Sequence, residues 1–225
     1  VATPLPQILS NLHAAAEAAG RPDPRLLAVS KTQPAEAVAA LAAQGQQAFG
    51  ENYVQEALAK MQALQHLALE WHLIGHLQSN KADAVATHFD WVQSVDRPKL
   101  VTALARHRPA ARGPLNVLIQ VNIDDESSKH GCAPEEVDVL AAAIAAEPTL
   151  RLRGLMAIPA PWPEAERRRD AFVRMRTLFQ SLAAQHTQID TLSMGMSSDY
   201  AEAIAEGATL VRIGTALFGA RARPA

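Results

Sequence analysis

LNVLIQVN (115–122), then a helix that starts at Pro134, Glu135 and Glu136 and stops at Pro148, then LRLRGLMAIP (150–159): this segment reads as strand, helix, strand. Val137, Leu140 and Ile144 supply the inward face of its helix. Near-continuous apolar runs mark strands covered on both faces, and a helical crossover makes such strands parallel. Working outward, the same alternation fills the chain. LLAVSK (26–31), AFGEN (48–52), EWHLIGH (70–76) and WVQSVD (91–96) come before it, and TLSMGMS (191–197) and TLVRIGTALFG (209–219) come after it. Eight strands alternating with helices favour a closed (β/α)8 barrel, an α/β fold; an open doubly wound sheet is the competing arrangement.

The intervening segments carry helix signals. Pro34 opens one helix and Gly45 closes it; Val54, Ala57, Leu58, Met61 and Leu64 follow helical spacing in the next. Phe172, Met175, Phe179 and Leu182 mark the longest helix, and Asp199 with Glu202 resembles a capping box ahead of Gly207. Residues 3–19 form an extra amphipathic helix before the first strand. The expectation is one domain over 1–225, with the barrel proper at about 26–219.

Composition narrows the function classes. Of 225 residues 48% are apolar, which excludes a disordered chain. Lys+Arg 21 against Asp+Glu 23 leaves no basic excess for nucleic acid or an anionic membrane. A single cysteine, Cys132, excludes an intramolecular disulfide and a multi-cysteine zinc site. The N-terminal stretch lacks the pattern of a signal peptide, so a soluble cytoplasmic protein is expected.

In such barrels the active site lies at the C-terminal strand ends. Those positions hold Lys31, Asn52, His76, Ser94, Asp96, Asn122, Met156, Ser197, Gly214 and Thr215. A desolvated Lys31 is suited to Schiff-base chemistry, or it reaches solvent or a carboxylate at the mouth. Arg212, in mid-strand, needs an acceptor or an anion: an ion pair with Glu51 or Asp96, or a ligand. Gly214 and Thr215 occupy the phosphate position that barrels use after strands 7 and 8, and Ser197 and Ser198 add hydroxyls. An amine therefore faces an anion site. His72 and His76 cannot share a metal, since four strand residues span about 13 Å. Asp124, Asp125 and Glu126 read as a solvated loop, in which Lys129 could serve a gate. Cys132 beside His130 lacks a group to orient a thiol nucleophile, and Arg167–Arg169 read as a solvated helix face.

The motifs AVSKTQP (28–34), FGENYVQE (49–56), WHLIGHLQSNK (71–81), SVD (94–96), VNIDDESSKHG (121–131), GLMAIP (154–159), LSMGMSSDYAEAI (192–204) and VRIGTALFGAR (211–221) resemble the YggS/PROSC family of pyridoxal 5′-phosphate (PLP) homeostasis proteins. That resemblance implies one barrel like the N-terminal domain of alanine racemase, of PLP fold type III. It implies PLP as cofactor, carried as a Schiff base on Lys31. Ser197, Gly214 and Thr215 would hold the phosphate, Arg212 would face the pyridine nitrogen, and Asn52 would lie beside the ring. Two positions depart from the family pattern. Many bacterial relatives have a second lysine where this chain has Gln33, and many have a lysine-rich tail where this chain has GARARPA (219–225). Lys129, matching the family's SK-G loop, is the remaining candidate for a second PLP site.

Two functions follow from the resemblance: a PLP carrier or buffer without turnover, with apo PLP enzymes as recipients, or an amino-acid racemase. Racemization needs a second acid/base on the opposite cofactor face. In alanine racemase-like enzymes that group is a tyrosine from the partner subunit's separate domain. Here the tyrosines are Tyr53 and Tyr200, both expected in first helical turns, and no such domain is expected after the last strand. An arginine at the pyridine nitrogen also weakens the electron sink. The carrier, as a monomer, is the reading adopted. A PLP-free Schiff-base aldolase leaves the other motifs unexplained.

Overall fold

All eight apolar runs form parallel strands: β1 (Arg25–Val29), β2 (Ala48–Glu51), β3 (Glu70–Leu73), β4 (Trp91–Val95), β5 (Leu115–Gln120), β6 (Leu150–Met156), β7 (Thr191–Ser193) and β8 (Leu210–Ile213). The computed structural model describes residues 1–127 and 129–219. Each strand pairs with the next, and β8 pairs back onto β1 with Leu27 beside Arg212. The sheet is therefore closed, not open and doubly wound.

The helices are α1 (Leu5–Ala18), α2 (Ala35–Ala43), α3 (Val54–Ala63), α4 (Ala82–His88), α5 (Pro98–His107), α6 (Val137–Ala145), α7 (Ala165–Gln185), α8 (Tyr200–Ala205) and α9 (Thr215–Phe218). The extra helix, α1, buries Leu5, Ile8, Leu12 and Ala16, one stripe at helical spacing, and packs against α8. Most buried apolar side chains lie in one continuous core that takes in both strand and helix residues. Two smaller clusters are separate from it. Leu27, Ala48, Ile74 and Leu210 form one; Trp91, Leu118 and Met156 form the other.

Two expectations need correction. The run 209–219 is a strand only to Ile213; Gly214 turns the chain, and the next four residues coil into α9. Short apolar runs carry no period that separates strand from helix. The capping box at Asp199 does not form either. The Asp199 carboxylate accepts from the Met196 N–H at 2.7 Å, and Glu202 is occupied by both arms of Arg168 at 2.9 and 3.0 Å.

The register shifts in two pairings, β4–β5 between Val92 and Val95 and β5–β6 at Arg153, and the second carries a strained glycine. Leu152 pairs with Val117 but Gly154 pairs with Leu118, so Arg153 is an extra residue in β6. Gly154 has φ +154°, and a Cβ there would stand 1.8 Å from the Thr191 carbonyl oxygen. No flexible side chain can yield to relieve that contact. Gly154→Ala should cost more than about 3 kcal/mol, or abolish soluble expression, in urea unfolding. Unfolding within about 0.5 kcal/mol of wild type would contradict the strain assigned to this bulge.

Candidate functional site

Beyond the strand ends, the βα loops surround a cavity of about 370 Å³. Lys31, Asn52, Ser197, Arg212, Gly214 and Thr215 all line it, with Val29, Ile74 and Ile158 as apolar wall. The sequence reading brought these six polar and glycine positions to one mouth, and the structure places them around one cavity. Gln33, Met196 and Ser198 also contribute.

Arg212 reaches the cavity from inside the barrel, where it is 3% exposed. Of the two alternatives the sequence left open, the ion pair with Glu51 or Asp96 does not form, and Arg212 lines the cavity. Its guanidinium donates to Ser193 Oγ at 2.6 Å and to the Ala157 carbonyl at 2.8 Å. The chain of bonds continues, because Ser193 Oγ donates to Gln93 Oε1 at 2.6 Å. Gln93 Nε2 lies 2.9 Å from His72 Nδ1, and His72 Nε2 lies 2.6 Å from Glu70 Oε1. An amide N–H must donate, so His72 Nδ1 accepts and its Nε2–H donates to the carboxylate. Arg25 donates to the same Glu70 oxygen at 3.1 Å.

Burial holds His72 below its ordinary value, and thus neutral at pH 7. Burial works to raise Glu70, but the hydrogen bond from His72 and the charge and hydrogen bond of Arg25 outweigh it and hold the carboxyl down to about 2. Burial lowers Arg212 to about 10, still cationic at neutral pH.

Lys31 sits on a tight turn after β1. Thr32 adopts φ +64°, a left-handed conformation uncommon for a β-branched residue. Gln33 N–H donates to the Ser30 carbonyl at 3.0 Å, and the Glu56 carboxylate accepts from Thr32 N–H. Behind the turn, Lys60 of α3 donates to the Ser30 carbonyl at 2.6 Å and pairs with Glu51 at 2.6 Å and Glu56 at 2.9 Å. Glu51 and Lys60 are both buried. Burial pushes the Glu51 carboxyl up to about 7, against the pull of the Lys60 ammonium. The turn that presents Lys31 is thus anchored from behind by a buried charge cluster.

Other sequence candidates settle differently. His72 is buried and His76 exposed, so they do not converge. Asp124 is not a solvated loop residue: Arg174 donates to it at 2.7 Å and Ala160 N–H at 2.8 Å. Lys129 lies 3.7 Å from Glu126 and half-exposed Asn122 hydrogen-bonds the Glu126 backbone, while Met156 packs with Trp91 and Leu118. Cys132 is buried, and burial pushes its thiol up to about 12, which leaves no thiolate for attack. Arg167–Arg169 are not merely solvated. Arg167 lies over the Trp162 ring, Arg168 binds Glu202 and Arg169 binds Glu206. The tail after Gly219 lies outside the described residues. Sequence reasoning missed Gln93, Ser193 and Lys60; the one available signal was a polar side chain inside an otherwise apolar strand or helix face.

Residues 4–222 match the family model for the alanine racemase N-terminal domain. The chain is 54% identical over 224 residues to the pyridoxal phosphate homeostasis protein of Pseudomonas aeruginosa, covering 98% of this chain and 96% of that one. It is 53% identical over 226 residues to the protein of that name from Escherichia coli K12, covering 98% and 97%. This chain belongs to the pyridoxal phosphate homeostasis protein family. A structure of the Synechococcus elongatus protein PipY with PLP bound is 38% identical and superposes with TM-score 0.81, covering 94% of this chain and all of that one. Alanine racemase from Corynebacterium glutamicum, at 19% identity and TM-score 0.69, shares the fold.

The buried pair yields a prediction. Lys60→Met removes the ammonium and leaves the Glu51 carboxylate buried, which should cost about 3–5 kcal/mol in urea unfolding. A carboxyl that titrates near 7 when folded and near 4.5 when unfolded binds its proton more tightly in the folded state. Its contribution therefore favours folding below about 4.5 and fades as pH rises through 7. The deficit of the variant should accordingly be larger near about pH 8 than near about pH 5. A deficit independent of pH would contradict the assignment.

Proposed function

We propose that this chain binds pyridoxal 5′-phosphate in the barrel-mouth cavity through Lys31, and serves as a cofactor carrier or buffer without turnover. The observation that carries the reading is the convergence of Lys31, Asn52, Ser197, Arg212, Gly214 and Thr215 on one cavity. Two features of the site fit such a ligand. Asn52 Oδ1 is buried without a hydrogen-bond partner among the described residues, a polar group left for a ligand to satisfy. At Gly214 a Cβ would lie 3.0 Å from the Val29 carbonyl, a tight contact that glycine avoids, so the backbone of the cavity wall stays close to β1 there.

When bound, the cofactor supplies an aldehyde that condenses with a primary amine. Lys31 is the amine offered by the anchored turn. Ser197, Gly214 and Thr215 would hold the phosphate, Asn52 would flank the ring, and Arg212 would face the pyridine nitrogen. The arginine is fixed by Ser193 and Ala157, so it cannot swing away. A guanidinium at that nitrogen opposes its protonation and weakens the ring as an electron sink. Racemization further requires an acid/base on the opposite face. Tyr53 is 58% exposed at the start of α3, and neither it nor Tyr200 lines the cavity. These features support holding the cofactor over turning substrate over.

Apo enzymes that need PLP are the proposed recipients, in the cytoplasm and from a monomeric carrier. Among the described residues no helix is long and apolar enough to cross a membrane.

Added PLP should give the purified chain a visible absorption band that Lys31→Ala abolishes, and borohydride should fix the label on the peptide containing Lys31. Label on Lys129 or another lysine would overturn the assignment. Steady conversion of L-alanine to D-alanine would overturn the carrier reading in favour of a racemase.

A further inference from the structure

One cluster of metal-ligating side chains stands apart from the residues assigned above. His76 follows β3, Asp96 follows β4, and His130 lies in the loop after β5, so three consecutive βα loops meet here. One ring nitrogen from each histidine and one Asp96 oxygen lie within 4.8 Å of one another. The two imidazoles stack, with centroids 3.7 Å apart and planes 13° from parallel. Both histidines are exposed and Asp96 is half-buried. The sequence reading excluded a metal shared by His72 and His76; it had no means of pairing His76 with a residue 54 positions away.

The backbone around the cluster is tied to its carboxylate. Asp96 Oδ2 accepts from the N–H of Gly131, the neighbour of His130, at 3.0 Å. Asp96 Oδ1 accepts from Arg97 at 2.9 Å, and the same guanidinium donates to the carbonyl of Leu77, the neighbour of His76, at 2.7 Å. One carboxylate thus registers both histidine-bearing loops. The loop of His130 is itself closed at its base, where Val121 bridges Cys132 and Asn122 N–H donates to the Cys132 carbonyl at 2.9 Å. Gly131 has φ +112°, and a Cβ there would stand 2.7 Å from Asn122 N, so the loop's return path demands glycine. Hydrogen bonds that orient a ligating carboxylate are the outer shell that metal sites require.

We propose that His76, Asp96 and His130 form a binding site for a divalent first-row transition ion of the zinc class. Two imidazoles with one carboxylate suit such ions, whereas calcium and magnesium take oxygen donors. Three protein ligands leave at least one coordination position for water or a small anion. Each oxygen of Asp96 keeps a second lone pair beside its existing hydrogen bond. Two atoms on one ion at about 2.1 Å can be at most about 4.2 Å apart, so the set closes slightly on binding. Rotation of two exposed rings out of their stack supplies that closure. The site is independent of the cofactor reading. It adjoins that cavity all the same, since Ile74 of the cavity wall stands two residues before His76. A bound ion would cross-link the loops after β3, β4 and β5 beside the mouth.

The test is titration of the chelator-treated full chain with zinc chloride by calorimetry, and with cobalt(II) by visible absorption. One equivalent of zinc should bind with micromolar or tighter affinity, and cobalt should give the intensified bands of a low-coordinate protein site. His76→Ala and His130→Ala should each weaken zinc by at least about tenfold, with unchanged circular dichroism. Asp96→Asn, which keeps a hydrogen-bonding side chain, should weaken it too. Lys31→Ala should bind zinc as wild type does. Absent binding, or binding unchanged in the His76→Ala/His130→Ala double variant, would overturn the proposal. Loss in Lys31→Ala alone would also overturn it, by moving the ion to the cofactor cavity.

Discussion

A guanidinium buried inside an eight-stranded barrel is the constraint on which the interior of this molecule depends. A buried, unpaired cation is strongly destabilising, and among the described residues no carboxylate hydrogen-bonds or ion-pairs with it. Arg212 is compensated by a one-way series of hydrogen bonds instead. It donates to Ser193, Ser193 to Gln93, Gln93 to His72, and His72 to Glu70. The single anion of the series lies at the start of β3, at the barrel's opposite end from the cavity. Every donor direction is then fixed, including the His72 tautomer, and Arg212 keeps one orientation toward the mouth. The two apolar clusters set apart from the main core, around Leu27 and around Trp91, accompany this polar series.

The helix-facing side of the sheet does a parallel task with charges. Lys60, between Glu51 and Glu56, holds the Ser30 carbonyl, while Glu56 accepts from Thr32. Lys31 lies between those two anchored residues. The amine and the arginine at the cavity are thus positioned from opposite faces of the same sheet. One support is a neutral relay through the barrel, and the other is an ion cluster behind β2.

Much of this was legible in the sequence, for definite reasons. Parallel barrel strands are covered on both faces, so their apolar runs stood out, and a barrel's site residues follow those runs. Lys31, Asn52, Ser197, Gly214 and Thr215 were placed at the mouth that way and Arg212 by its charge within an apolar run, and all six line the cavity. The partners of Arg212 were not. Glu51 faces α3 and Asp96 faces a loop, and a strand's sequence does not say which of its two faces points inward. Gln93 and Ser193 stayed hidden for the same reason. Lys60 looked like an ordinary polar residue on α3, since burial of a lysine depends on a carboxylate that only the folded sheet brings near. His130 lay in a loop, where no periodicity says which side chains meet. The run through Gly214 was misread because Thr215 and the three apolar residues after it fit a strand or one helical turn equally well.

The central claim, that Lys31 and a fixed Arg212 grip the two ends of one cofactor ring, is tested most directly by a crystal structure of the chain grown with pyridoxal phosphate. Such a structure should show density continuous with Lys31 Nζ, the pyridine nitrogen within hydrogen-bonding reach of Arg212, and Arg212 still bound to Ser193 and Ala157. Cofactor density elsewhere, or a ring nitrogen facing a carboxylate in place of Arg212, would contradict it.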